Sequence, residues 1–169
     1  MNFNEKIVCE YDFIKIGNFY KAKQSIKAIF EGKPLENYSL AVKLIDDRFL
    51  NAEQSTYLIY KENELVYAGY YSNTLYDRWF RKQNDILYVW HGIEDKDKLK
   101  DELKNYPEKF TMWITKDPYN KDVNISKAIE DIIIMKEQPI GNKVGKDLEK
   151  QKKTSIKVTD ILEDLSLNI

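Results

Sequence analysis

A chain of 169 residues, 43% hydrophobic and 33% charged, suits one soluble domain with appended elements and a real core. It has no apolar run of membrane-spanning length and no signal-peptide plan, and its single cysteine, Cys9, excludes an internal disulfide or cysteine metal knuckle and suits the reducing cytoplasm. A net charge of −1 excludes a protein that is basic all over, yet leaves room for local phosphate-binding patches at Arg78–Lys82 and Lys143–Lys157.

Residues 1–16 read as a short extended segment, with Ile7, Val8, Tyr11, Phe13, Ile14 and Ile16 set among charges. From Phe19 to Phe30 the apolar positions Ala22, Ile26, Ile29 and Phe30 recur at helical spacing. Gly32 would stop that helix, and Pro34 would open a second one carrying Leu40, Ala41, Leu44 and Ile45 to about Leu50. Residues 1–55 are thus expected to be an extension of one strand and two helices packed on a core at 56–142, with a lysine-rich extension at 143–169.

Two apolar-aromatic runs, Tyr57–Tyr60 and Leu65–Tyr71, flank the polar step Lys61–Glu64 and predict a tight β-hairpin with Asn63 in left-handed backbone. Gly69, inside the second run, marks a bulge or a close approach by another backbone or a ligand. Thr74 and Asp77 form a capping box. The helix after it would bury Leu75 and Trp79 and set Arg78 and Lys82 four apart on a neighbouring face, with Arg81 between. Ile86–Trp90 predicts a strand that His91 and Gly92 close. Glu94–Tyr106 predicts a surface helix with Leu99 and Leu103 as its seam, and Phe110–Thr115 the third core strand, followed by a turn at 117–120. A helix capped by Asn124 or Ser126 would turn Ile129, Ile132, Ile133 and Met135 to the core and stop near Gln138, ahead of Pro139. Thr159–Leu167 closes the chain as an amphipathic segment.

At the hairpin the chain resembles the GIY-YIG nucleases. Their Gly-Ile-Tyr motif corresponds to Leu58-Ile59-Tyr60, and Tyr-Ile-Gly to Tyr67-Ala68-Gly69. The family's helix arginine falls on Arg78, its frequent histidine on Lys82, its metal-binding glutamate on Glu130, and its Pro-x-x-Asn element on Pro139 and Asn142. Cys9–Lys15 is also similar to the start of the phage endonuclease II group of that family. Leucine stands at 58 where glycine is usual, lysine at 82 where histidine is frequent, and one extra residue separates Gly69 from Arg78.

The resemblance implies an α+β fold, a small antiparallel sheet of about three core strands flanked by helices. It implies a restriction-type or phage-type endonuclease that hydrolyses double-stranded DNA with Mg²⁺, or another divalent cation such as Mn²⁺. Tyr60 would activate water beside Tyr67, with Arg78 and Lys82 favouring the phenolate and Arg78 gripping the phosphate. Glu130 would hold the metal, while Gly69, Arg81, Asn142, Lys143 and Lys146 would meet the substrate. Cutting both strands with one site per chain would favour a homodimer or homotetramer. Taken singly, Tyr60 and Tyr67 also read as a cross-strand aromatic pair, Arg78 and Lys82 as a solvated face, and residues 143–157 as a solvated tail. Those readings leave two rivals open: a DNA-binding protein that keeps the fold without catalysis, and an α+β protein-interaction module.

Overall fold

Antiparallel pairing, more than helix packing, organises this chain. The computed structural model describes residues 4–30, 33–89, 97–116 and 123–142. Among them are the strands β1 (Glu5–Val8), β2 (Tyr11–Phe30), β3 (Lys33–Leu44), β4 (Thr56–Lys61), β5 (Glu64–Tyr70), β6 (Phe80–Gln83), β7 (Ile86–Val89) and β8 (Phe110–Thr115). They join in one sheet of order β5-β4-β8-β2-β3-β7-β6, with β1 alongside the start of β2. Three α-helices are described: α1 (Leu75–Trp79), α2 (Asp97–Asn105) and α3 (Val123–Glu137).

This overturns the expected α+β fold with three core strands, because the protein is mostly β. The two helices expected in the N-terminal extension are the long strands β2 and β3. Leu40, Ala41 and Val42 are consecutive and all buried. Three neighbours cannot all face the core from one helix stripe, whereas a strand with both faces covered buries them alternately. In β2, exposed Lys21 and Lys23 bracket buried Ala22, a period of two. Lys33 is held extended ahead of Pro34, so the proline lies at the start of a strand instead of a helix. Phe19 pairs with Val42 and Tyr20 with Ala41, contacts far apart in sequence that outweigh local helical periodicity.

The later elements follow the sequence more closely. The hairpin is β4 and β5, although Glu62, not Asn63, takes the left-handed backbone (φ 55). Thr74 caps α1, accepting from the Asp77 amide and donating to its carboxylate. The helix then stops at Trp79 instead of running on to Lys82. Trp79 and Phe80 are both fully buried, and the switch to β6 lets adjacent large rings enter the core. Leu99 and Leu103 form the buried seam of α2, and β8 lies in mid-sheet between β4 and β2. In α3, Ile129 and Ile133 are buried, Ile132 is half-buried and Met135 is exposed, while Ser126 lies within the helix as a buried anchor and not at its cap. His91, the 117–120 turn and everything from Lys143 onward lie outside the described residues.

The two edge strands, β5 and β6, are joined only by residues 71–79, five of them helical. Such a link reaches about 25 Å, whereas seven flat strands span about 29 Å. The sheet therefore curls, and α1 bridges its edges. One face and α1 enclose a core of Phe19, Val42, Tyr57, Trp79, Phe80, Leu87 and Met112, drawn from strands across the whole sheet. Trp79 meets Tyr57 edge-on at 5.1 Å and Phe19 at 6.4 Å between ring centroids. The opposite face of β4, β5 and β8 is covered by α3, whose Ile129 and Ile133 pack with Leu58, Tyr60, Ala68 and Trp113.

Candidate functional site

Strand alternation separates the tyrosines of the hairpin. Tyr57 and Ile59 face the α1 side, while Leu58 and Tyr60 face α3. The Tyr60 ring packs against Trp113 at 5.8 Å, with the Lys6 ammonium 3.7 Å from its centroid. Burial first, then the Glu137 and Cys9 charges, push its hydroxyl up to about 12. Tyr60 is therefore not beside Tyr67, and it stands apart from Arg78.

Tyr57 takes that place. It pairs across the hairpin with Gly69, so its ring lies over the glycine and between Tyr67 and Tyr71, stacked at 6.0 and 6.3 Å. A Cβ at 69 would run into the Tyr57 ring and hydroxyl, which accounts for the glycine. The fully buried Tyr57 hydroxyl has Arg78 and Tyr67 beside it. Burial holds its pKa well above 10 and Tyr67 adds to the rise; Arg78 pulls downward without overcoming burial.

Arg78 is half-buried at the end of α1, and the chain leaves the helix one residue later. Lys82 consequently lies on β6, exposed, 3.3 Å from Asp85, and not on the Arg78 face. Arg81, also exposed on β6, donates to the Phe80 carbonyl at 2.8 Å. Neither cation joins Tyr57.

Glu130 approaches on α3. The helix is anchored at its start by Thr56 Oγ1, which donates to the Ser126 carbonyl at 2.7 Å, and by Ser126 Oγ, which donates to the Gln54 carbonyl. Burial raises the Glu130 carboxyl to about 7 and Asp131 pushes the same way, while Lys127 and Arg78 oppose. Lys127 itself pairs with Asp131 at 3.0 Å. Tyr57, Tyr67 and Arg78 thus come together from β4, β5 and α1, and Glu130, on the α3 helix that covers the opposite face, is linked to them through the charge of Arg78.

Asn142 acts as part of the sheet. Its side chain donates to the Ala68 carbonyl at 2.7 Å and accepts from the Ala68 amide at 2.9 Å, and the Gly141 amide donates to Val66 O at 2.6 Å. These bonds close the free edge of β5 and fix the Tyr67-Ala68-Gly69 backbone, a positioning role in place of the expected substrate contact. Asn142→Ala is expected to lower stability by about 1–3 kcal/mol in urea unfolding, since it strips partners from a part-buried amide and carbonyl.

No protein-family model, curated protein or solved structure matches this chain. The likeness to GIY-YIG nucleases therefore rests on its own residues. Among the described residues no three histidine, cysteine, aspartate or glutamate side chains gather as a metal cage. A single half-buried carboxylate whose charge is penalised by burial still fits Mg²⁺, which keeps most of its waters and takes few protein oxygens. Lys143 and Lys146 lie outside the described residues. No described helix is long and apolar enough to cross a membrane.

Proposed function

We propose that this protein is a Mg²⁺-dependent DNA endonuclease of GIY-YIG type whose reacting tyrosine is Tyr57. The observation that supports this reading is the meeting of Tyr57, Tyr67 and Arg78 from three separate elements, with Glu130 of α3 within reach of the Arg78 charge. Arg78 is a fixed donor for the scissile phosphate. Tyr57 is a neutral phenol near pH 7, so it orients the attacking water by accepting a hydrogen bond while donating its own proton's hydrogen bond to half-buried Tyr67, and the proton that the water loses on attack passes to an oxygen of the scissile phosphate. Glu130 is the carboxylate that would hold Mg²⁺, and the ion would neutralise charge on the phosphate and the leaving oxygen. Double-stranded DNA is the proposed substrate and the cytoplasm the proposed setting, with a homodimer or homotetramer where both strands are cut.

Incubation of plasmid and phage DNA with Mg²⁺, beside an EDTA control, tests the scheme. Tyr57→Phe is expected to slow cleavage by about 100-fold or more, and Tyr60→Phe to leave it within a few-fold of the parent. The reverse ranking would return the role to Tyr60 and overturn the assignment. One observation favours a second reading, a protein that binds DNA without cutting it: the Tyr57 hydroxyl is fully buried. Metal-independent retention of intact DNA, lost as salt rises, would establish that reading.

A further inference from the structure

Strand alternation fixes what β8, β2 and β3 present on the sheet face turned away from the α1 core. Lys15 stands between Ile14 and Ile16, and Lys43 between Val42 and Leu44. All four neighbours pack on the α1 side, so both lysines turn to the opposite face. There Lys15 pairs with Trp113, and exposed Asn18 lies between Thr111 and exposed Lys43. Lys6 of β1 joins them. It pairs with Phe13 of the α3-side core, and its ammonium lies 3.7 Å from the Tyr60 ring centroid and 5.0 Å from that of Trp113. Strand geometry sets the Lys15 Cα about 8 Å from that of Lys6 and about 11 Å from that of Lys43. Burial and then the Lys15 charge lower the Lys6 pKa, so the two ammonium groups feel each other. From Tyr11 to Ala22 of β2, from Leu40 to Leu44 of β3 and throughout β1 and β8, no carboxylate alternates onto this face; Glu5 and Asp12 belong to the other one. Among the described residues none of the three lysines has an ion-pair partner. The carboxylates at its margins are engaged or set apart: Glu137 accepts from Cys9 at 3.5 Å, and Asp47 and Asp85 line a cleft bordered by Lys43, with Asp85 held by Lys82.

We infer that this face holds the phosphate backbone of double-stranded DNA, with Lys6, Lys15 and Lys43 meeting phosphates and the Asn18 amide donating between them. Cations gathered without carboxylates repel one another, and a ligand with repeated negative charge relieves that along the whole row, where a single small anion would meet only part of it. A lipid surface fits less well. The exposed positions among these residues, Asn18 and Lys43, are polar, while the rings of Phe13 and Trp113 are buried and offer nothing to insert. A protein partner would want an apolar centre inside a polar rim, whereas protein–DNA contacts are polar and cationic. The face lies on the opposite side of the sheet from Tyr57, so it is a holding surface and not the cutting site. The choice of DNA among polyanions rests on the nuclease reading.

The test is fluorescence anisotropy of the full chain with a blunt DNA duplex in EDTA, where binding is read without cutting, over a series of salt concentrations. Lys15→Gln/Lys43→Gln is expected to bind about ten-fold more weakly at low salt and to lower the slope of log affinity against log salt by about 2. Lys82→Gln/Lys104→Gln removes the same charge from exposed positions on β6 and α2 and should stay within about two-fold of the parent. Thermal melts confirm that both variants fold. If Lys15→Gln/Lys43→Gln binds as the parent does, or if the control pair loses as much, the face assignment is wrong. Binding of the parent to phosphatidylserine–phosphatidylcholine vesicles and not to the duplex would also overturn it. Cleavage with Mg²⁺ separates the two readings. A parent that cuts DNA while the lysine pair proves idle keeps the nuclease reading and loses this face. A parent that binds through the lysine pair and never cuts keeps the face and loses the nuclease.

Discussion

Exchanging Glu130 for glutamine is expected to stabilise the protein above pH 7 while abolishing Mg²⁺-dependent cleavage. The carboxyl is pushed from an ordinary 4.5 to about 7, chiefly by burial and then by Asp131. Between those two values the folded state holds a proton that the unfolded state has released, so stability falls as pH rises through the window. Below pH 4.5 both states are protonated and the group costs nothing; above pH 7 the full penalty of burying a carboxylate is present. A shift of that size corresponds to about 3 kcal/mol at most. Glutamine keeps the shape and the helix without the charge, so the variant should lose this pH slope and melt roughly 5–10 °C higher at pH 8. Added Mg²⁺ should raise the melting temperature of the parent above pH 7 and leave the variant unmoved, because only the parent offers the half-buried carboxylate of position 130 to the ion, while Asp131 is paired with Lys127. A glutamine variant that still cuts DNA, or that keeps the parent's pH slope, would remove Glu130 from the scheme. A residue that destabilises its own fold at neutral pH and is indispensable to activity is the pattern expected where function opposes stability.

The same tension explains what the sequence could and could not announce. The hairpin, the Thr74–Asp77 capping box and the Leu99–Leu103 seam were legible because each depends on neighbours a few residues away. The strands β2 and β3 were not, since Ala22, Ile26, Ile29 and Phe30 satisfy a helical period and only pairing across the sheet decides otherwise. At the site, the order of Tyr67, Arg78 and Glu130 was readable, but the choice between Tyr57 and Tyr60 depends on register. The two lie three residues apart in one strand and must face opposite sides of the sheet. A bulge between Ile59 and Tyr60 then shifts the pairing so that Tyr57, not its neighbour, falls opposite Gly69. The glycine was the available signal: it predicted a close approach, and the group approaching is the Tyr57 ring. The end of α1 was hidden for a similar reason. Arg78 and Lys82 have helical spacing, but the burial of both Trp79 and Phe80 turns the chain into β6 and separates the two cations.

That close approach makes Gly69→Ala the substitution with the largest expected cost in stability. The new methyl carbon would overlap Cζ and Oη of Tyr57 and come within 2.9 Å of Cε1. The ring has nowhere to swing: it is fully buried, flanked by Tyr67 and Tyr71 and met edge-on by Trp79 at 5.1 Å. Overpacking usually costs about 1–3 kcal/mol, and a ring held on three sides puts this case at the upper end or beyond. The cost is steric and not a matter of backbone freedom, because alanine and glycine would share the same extended strand geometry here. A double-mutant cycle isolates it. Tyr57→Leu removes the end of the ring that the methyl would strike, so Gly69→Ala should cost far less in that background, a coupling of about 2 kcal/mol in urea unfolding. The single Gly69→Ala protein should also lose most of its cleavage activity, although no reacting group has been touched, because displacing Tyr57 moves its hydroxyl away from Arg78. Unchanged stability in the single variant would mean that the ring has a second place to go, and Tyr57 would then be too loosely held to position a water.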